Sequence, residues 1–399
     1  MKLSSNGLLA QVSIAHLVSH LHIMAVPAML PLLPDAMQVS FVELGIAIGL
    51  FNIVSALVQA PLGFMVDRLG ARKMLMAALL LGAISFGLVA VFPSYPCLLA
   101  TMILAGLANG VYHPADYSLL SRGIPSSKMG RAFSIHTFAG FLGGALAPPI
   151  MIGVALAMAP RWSFVIAALA GLLAWAVMVI IGSPLSDRAT GASIPEPRKT
   201  ETRPATTPVI TLVILTLLFT LLSLSTGAIE KFSVSALVQG FDVALPAANV
   251  ALTVFLFASA FGVLAGGVLA DRTDKHGYVA AAAFALAAFI VVLVIRMPLP
   301  PVALATALGA TGFLTGLVAP SRDMLVRAAS PAGAEGRTFG IVSTGFNVGG
   351  VIGPILFGFL LDHGLASGVL WAAVGFMAAT TAVVLLQERH MRMKPAPAG

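Results

Sequence analysis

The chain has 399 residues, 59% of them hydrophobic and only 9% charged. A soluble domain carries roughly 25% charged residues, so this composition excludes a water-facing surface over most of its area. The formal net charge of +7 comes from 22 Lys and Arg against 15 Asp and Glu, and the single Cys97 excludes an intramolecular disulfide or a cysteine metal cluster.

A membrane-spanning helix needs about 20 mainly apolar residues. Stretches of that kind cover 8–31, 43–66, 74–92, 96–121, 131–158, 162–182, 209–238, 247–270, 278–296, 302–326, 337–361 and 366–387. The expected fold class is an all-α membrane protein with twelve transmembrane helices. The first stretch holds three histidines and no convincing cleavage site, so it reads as a retained helix. Pro93 and Pro96 separate the third stretch from the fourth. Residues 183–208 are rich in Pro, Thr, Arg and Glu, a composition that buries no core and reads as a linker. The expected division is a six-helix bundle at 1–182, the linker, and a second bundle at 209–399.

The two halves repeat. Gly63-Phe-Met-Val-Asp67-Arg68-Leu-Gly70-Ala-Arg72-Lys73 recurs in weaker form as Gly267-Val-Leu-Ala-Asp271-Arg272. Gly110, Pro114, Gly130-Arg131, Gly143-Gly144 and Pro148 match Gly316, Pro320, Gly336-Arg337, Gly349-Gly350 and Pro354 at one common offset. An even number of spans per half makes the repeats parallel, as in transporters whose site lies near the midplane where the halves meet. Of the basic residues, Arg161 and Arg296 fall on one face, and Lys231 and Arg322 fall inside helices. The rest fall at the N-terminus, in alternate loops, in the linker and in the tail. This asymmetry puts both termini and the linker in the cytoplasm, and it explains the basicity without a nucleic-acid partner.

Twelve spans, a central linker and two Gly-x-x-x-Asp-Arg loops resemble the major facilitator superfamily over the whole chain. Pro27-Ala-Met-Leu-Pro-Leu-Leu, Glu43-Leu-Gly and Tyr112-His113-Pro114-Ala are similar to its fosmidomycin-resistance branch. The resemblance implies alternating access, a first helix lining a central cavity, and a conformational latch at Gly63, Asp67, Arg68, Arg72, Asp271 and Arg272. The bland reading of those charges is topology alone. The second copy departs from the pattern, with Asp274-Lys275-His276-Gly277 in place of the Gly-x-Arg-Lys ending. The arginine that family efflux pumps often carry in the fourth helix is Met102 here.

An ionisable side chain at a helix centre costs about 2.5–3.5 kcal/mol on insertion scales, so such groups face a cavity or a partner. His16 and His20 are four apart and share a helix face; His22 points elsewhere. Histidines titrating near neutral pH can relay protons, and the competing reading is helix packing. No third ligand at a zinc spacing accompanies them, so no metal is expected. His113 and Asp116 flank Pro114 in the fourth span, with Tyr117 beside them. An Asp next to a His can share a proton, or Asp116 can simply pair with Arg122. His136 in the fifth span and Asn347 in the eleventh are further candidates. Glu230-Lys231 reads as a proton carrier beside a snorkelling lysine, or as the water-exposed end of the seventh span. Arg322 and Asp323 point about 100° apart on a helix, so each is expected to need its own partner. For Arg322 that partner is an anionic substrate, or Asp116 across the halves as a gate. The glycines and prolines at 140–149 and 345–354 resemble the family's antiporter motif, or serve close helix packing.

No phosphate-binding loop is present, so energy is expected from an ion gradient or the substrate's own gradient. The expected function is proton-coupled export, by antiport, of a small anionic or amphipathic compound. The alternative is proton-linked uptake of an organic acid. A non-transporting receptor on the same fold is a weaker competitor. A membrane enzyme is disfavoured, because no nucleophile–base–acid set assembles. No cofactor is expected. The expected partners are the substrate, protons and lipid, and the expected form is a monomer in the inner membrane.

Overall fold

The computed structural model describes residues 5–125, 128–182, 208–270, 272, 273, 275–330 and 335–393. The linker lies outside them apart from Pro208, and so does Asp271. The described residues form α1 (Ser5–Met29), α2 (Leu33–Met37), α3 (Phe41–Leu69), α4 (Ala71–Val91), α5 (Tyr95–Gly123), α6 (Met129–Ala157) and α7 (Pro160–Ile181). They continue with α8 (Val209–Phe241), α9 (Leu245–Ala270), α10 (His276–Arg296), α11 (Pro301–Ala329), α12 (Glu335–Asp362) and α13 (Ala366–Met393). Twelve of these helices, all but the short α2, are long and apolar enough to cross a membrane. Large apolar side chains such as Phe64, Leu173, Ile180 and Val302 are exposed on them. A helix that is apolar all round needs either a protein core or lipid on each face. The protein is a multi-pass membrane protein.

Local chemistry sets the helix ends. Pro160 and Pro301 open α7 and α11 at the first helical position, where a missing N–H leaves no bond unmade. Gly70 joins α3 to α4 at φ +97°, a conformation that side-chain-bearing residues rarely adopt. The first span stops at Met29, and the short α2 follows, with its C-cap Gln38 left-handed. Composition alone does not reveal this extra turn.

The chain forms two compact units. Unit 1 comprises Met1–Val39 and Ala47–Arg203; unit 2 comprises Ser40–Ile46 and Pro204–Gly399. In unit 1, α1 packs on α6 and α4 packs on α5 and α7; in unit 2, α8 packs on α12 and α10 on α11 and α13. The internal pairing thus follows the sequence repeat. In unit 2, the backbone N–H groups of Phe41 and Val42 donate to the Asp362 carboxylate at 2.7 and 2.8 Å. This satisfies donors that a helix start leaves without intrahelical partners.

Glycines set how closely the helices approach. A Cβ at Gly312 or Gly316 would run into the Phe255 or Ser259 carbonyl of α9, and one at Gly262 or Gly266 would meet Phe313 or Leu317 of α11. In unit 1, a Cβ at Gly143 would strike the Leu17 carbonyl of α1. Small residues allow backbone contact where lipid supplies no hydrophobic drive between helices.

Candidate functional site

Each unit gathers ionisable groups. In unit 1 the centre is a histidine cluster from α1, α5 and α6. His16 lies one α1 turn from His20, and their rings meet edge to face at 4.7 Å. The His16 ring stacks on His136 of α6 at 3.9 Å and lies 5.5 Å from His113 of α5. His16 Nδ1 contacts the His136 carbonyl oxygen at 2.8 Å. A carbonyl only accepts, so Nδ1 carries the proton, and in the neutral ring Nε2 is a bare acceptor. That Nε2 has no hydrogen-bond partner among the described residues.

Gly140 makes this packing possible. A Cβ there would lie 2.6 Å from His16 Cε1 and 3.0 Å from His20 Cδ2. Gly140 and Gly143 thus seat the histidine-bearing α1 against α6.

Asp116 on α5 is fully buried, and its ion-pair contact is His136 Nε2 at 3.6 Å, itself 1% exposed. Neither carboxylate oxygen makes a hydrogen bond among the described residues. The partner of Asp116 is thus His136 and not the sequence neighbour His113. One helix turn separates His113 from Asp116, but the α5–α6 crossing brings His136 to the carboxylate. Tyr117 is exposed and lies 6.0 Å from the His113 ring and 6.1 Å from His136. The cluster is layered: Tyr117 outside, His20 and His113 half-buried, and His16, His136 and Asp116 within. His22 stands apart, its Nε2 donating to the Ala167 carbonyl at 2.9 Å, as a packing histidine between α1, α4 and α7.

Unit 2 holds the second centre. Arg322 on α11 donates from Nε to Asp323 Oδ1 at 2.9 Å, and its Nη2 lies 2.8 Å from the same oxygen. This corrects the expectation that the two neighbours each need a separate partner. Their Cα–Cβ bonds do diverge, but the long arginine stem folds back far enough to reach the carboxylate. The guanidinium carbon sits 4.9 Å from the Phe219 ring centre and 5.0 Å from that of Phe346. Asn347, half-buried, follows Phe346 on α12. Glu230 and Lys231 lie well inside α8, half-buried, because that helix runs on to Phe241. They are therefore not the water-exposed end of the seventh span.

At the α3–α4 junction, Asp67 pairs with Arg122 at the end of α5, 3.8 Å apart and largely exposed. Arg72 reaches Gln11 at 3.2 Å and the Met178 carbonyl, tying α4 to α1 and α7. Arg68 and Arg272 are exposed. Gly63 lies inside α3, where a Cβ would make only ordinary contact with Pro114. Sequence reasoning passed over Glu388, which is buried on α13 and accepts the Gly277 backbone N–H at the start of α10. A carboxylate near an apolar helix end is the signal that would have found it.

Among the described residues, no group of three or more His, Cys, Asp or Glu is placed to hold a metal ion.

The family model for the Major Facilitator Superfamily matches residues 12–230 and 215–399. The chain is 25% identical over 292 residues to the fosmidomycin resistance protein of Escherichia coli (strain K12), covering 73% of this chain and 71% of that one. It is 27% identical over 359 residues to the probable sulfoacetate transporter SauU of Cupriavidus necator, covering 84% and 82%. It is also 27% identical over 271 residues to the uncharacterized MFS-type transporter YfnC of Bacillus subtilis (strain 168), covering 66% of this chain and 65% of that relative's length. Among solved structures, a bacterial homologue of the human lysosomal transporter Spinster has a TM-score of 0.77 at 14% identity, covering 98% of each chain. The nucleoside transporter NupG gives a TM-score of 0.77 at 13% identity, covering 95% of this chain and 99% of that one.

Proposed function

Because the chain belongs to the major facilitator superfamily, we propose that it moves a small anionic or amphipathic compound by proton-coupled alternating access, with export by antiport as the direction. The observation that carries proton coupling is the cluster in unit 1. Four imidazoles and a carboxylate lie within contact range in a membrane-spanning bundle, layered from a half-buried edge to a buried acid. A charge buried among apolar helices is costly without a partner, and imidazoles exchange protons near neutral pH. Asp116 and His136 hold the transported proton, while His16, His20 and His113 pass it inward. Arg322 holds the anionic part of the substrate, and Glu230 is a second carrier candidate. Export draws on the relatives named for fosmidomycin and chloramphenicol resistance.

The second reading is proton-linked uptake of an organic acid. It is favoured by the relatives named as hexuronate and probable sulfoacetate transporters. In both readings the chain is a monomer of the inner membrane, has no enzymatic step and uses no cofactor. The test is flux in proteoliposomes loaded with a pH-sensitive dye, with and without an imposed pH gradient. Wild-type flux should follow the gradient. Asp116→Asn should cut gradient-driven flux at least ten-fold while substrate exchange at equal pH persists. Flux that ignores the gradient would remove proton coupling.

A further inference from the structure

The unit 2 centre has an unusual composition for an arginine among apolar helices. Two aromatic rings lie against it, Phe219 of α8 and Phe346 of α12, and with their centres 4.7 Å apart they sit to the same side of the guanidinium. Ring contacts of this kind stabilise a guanidinium but accept no in-plane hydrogen bond. Polar recognition is left to the edge, where all five N–H groups lie. That edge is only partly used. One oxygen, Asp323 Oδ1, receives both Nε and Nη2, and Arg322 makes no other side-chain hydrogen bond among the described residues. A guanidinium edge fits two acceptor oxygens side by side. Asp323 supplies one, because it is tethered to the adjacent Cα. Arg322 is mostly buried at 19% exposure, whereas Asp323 is 48% exposed and has room to leave.

We propose that Arg322, lying against Phe219 and Phe346, is an oxyanion seat, and that Asp323 is its resident occupant, displaced when a substrate carboxylate or phosphonate arrives. The proposal rests on the reading of Arg322 as the substrate's anion ligand and extends it. Asp323 keeps the guanidinium neutralised while the seat is empty, so the membrane-embedded cation is never left alone. An incoming oxyanion offers two oxygens in the plane of the fork, where Asp323 offers one. The adjacent Phe219 and Phe346 rings favour an oxyanion carried on a flat apolar body over a fully hydrated ion. Asp323 then sets a threshold: it competes with every ligand, and weak or monodentate anions fail to displace it.

The experiment uses the full chain in detergent at fixed ionic strength. Binding of benzoate and phenylphosphonate is followed calorimetrically, with benzamide as the neutral isostere. Asp323→Asn removes the competing charge and should bind both anions at least ten-fold more tightly than wild type. Arg322→Gln should bind neither. Arg322→Lys, which keeps the charge and loses the planar fork, should fall between wild type and Arg322→Gln. If Arg322→Gln folds poorly, the charge-balanced Arg322→Gln/Asp323→Asn pair replaces it and should also bind neither anion. Asp323→Asn binding no tighter than wild type overturns the proposal. So does anion binding that survives loss of Arg322, benzamide binding as well as benzoate, or no anion binding to either wild type or Asp323→Asn. Proton coupling is read separately, as flux against the pH gradient. A failed seat with gradient-driven flux intact leaves the transport reading standing, and a working seat with gradient-insensitive flux does the reverse.

Discussion

Gly140 carries no side chain because two imidazoles occupy the space where one would go. A methyl group at that position would press on the His16 ring at 2.6 and 2.9 Å and on His20 at 3.0 Å. Those rings cannot retreat freely, since His16 is hydrogen-bonded to the His136 carbonyl and stacked on its ring. Gly144, one turn on, offers a built-in control: its added Cβ would sit 3.8 Å from Met24 Cγ, an ordinary contact. Gly140→Ala should therefore cost about 1–3 kcal/mol of stability by overpacking and reduce gradient-driven flux at least ten-fold. Gly144→Ala should leave flux nearly unchanged and raise stability by up to about 1 kcal/mol, the helix propensity that alanine gains over glycine. Thermal melts and proteoliposome flux of the two variants decide it. Equal behaviour would mean that the His16–His20–His136 packing is not what flux depends on.

At the scale of helices, the spans are legible because length and hydropathy decide them, whereas side-chain partners depend on crossings that no sequence window contains. The stretch 209–238 and α8 share a start, and Gly345 and Gly349, for which close helix packing is one of the two expected roles, leave no room for a Cβ against α8. Asp116 and His136 lie on different helices, and only the packing of α5 against α6 makes them partners. Arg322 and Asp323 mislead in the opposite way, since helical geometry fixes where Cβ points and not how far an arginine reaches. The junction of α3 and α4 gives a prediction of its own. Asp67 and Arg122 are exposed and 3.8 Å apart, a class of pair worth ~0–1 kcal/mol. Asp67→Asn should thus leave the melting temperature almost unchanged. If this contact belongs to one conformational state only, its loss shifts the balance of states by up to a factor of about 5. Slowed transport with an unaltered melt is the expected pair of results. Unaltered transport would leave Asp67 as topological charge, the reading that the positive-inside rule supplies without any latch.

For the molecule as a whole, orientation comes first and direction second. Positive residues cluster at the N-terminus, in alternate loops, in the linker and in the tail, so reporter fusions at Gly399 and near Thr200 should both read cytoplasmic. An external signal at either position would invert the arrangement. Direction is harder, because one set of side chains serves either way: alternating access with a proton site and an anion site runs as the gradients dictate. The two readings differ in what a cell experiences. Under export, a host lacking its own pumps and expressing this chain should tolerate a phosphonate better and accumulate less of it. Both effects should vanish with Arg322→Ala, which removes the proposed anion ligand, and with Asp116→Asn, which removes the proposed proton carrier. Under uptake, the same host should accumulate an organic acid faster when protons are driven inward, and its sensitivity to the phosphonate should hold or rise. Radiolabelled accumulation, measured with and without a collapsed proton gradient, separates the two. Lower phosphonate accumulation that disappears when the gradient is collapsed establishes export, and gradient-driven gain of the organic acid replaces it with symport.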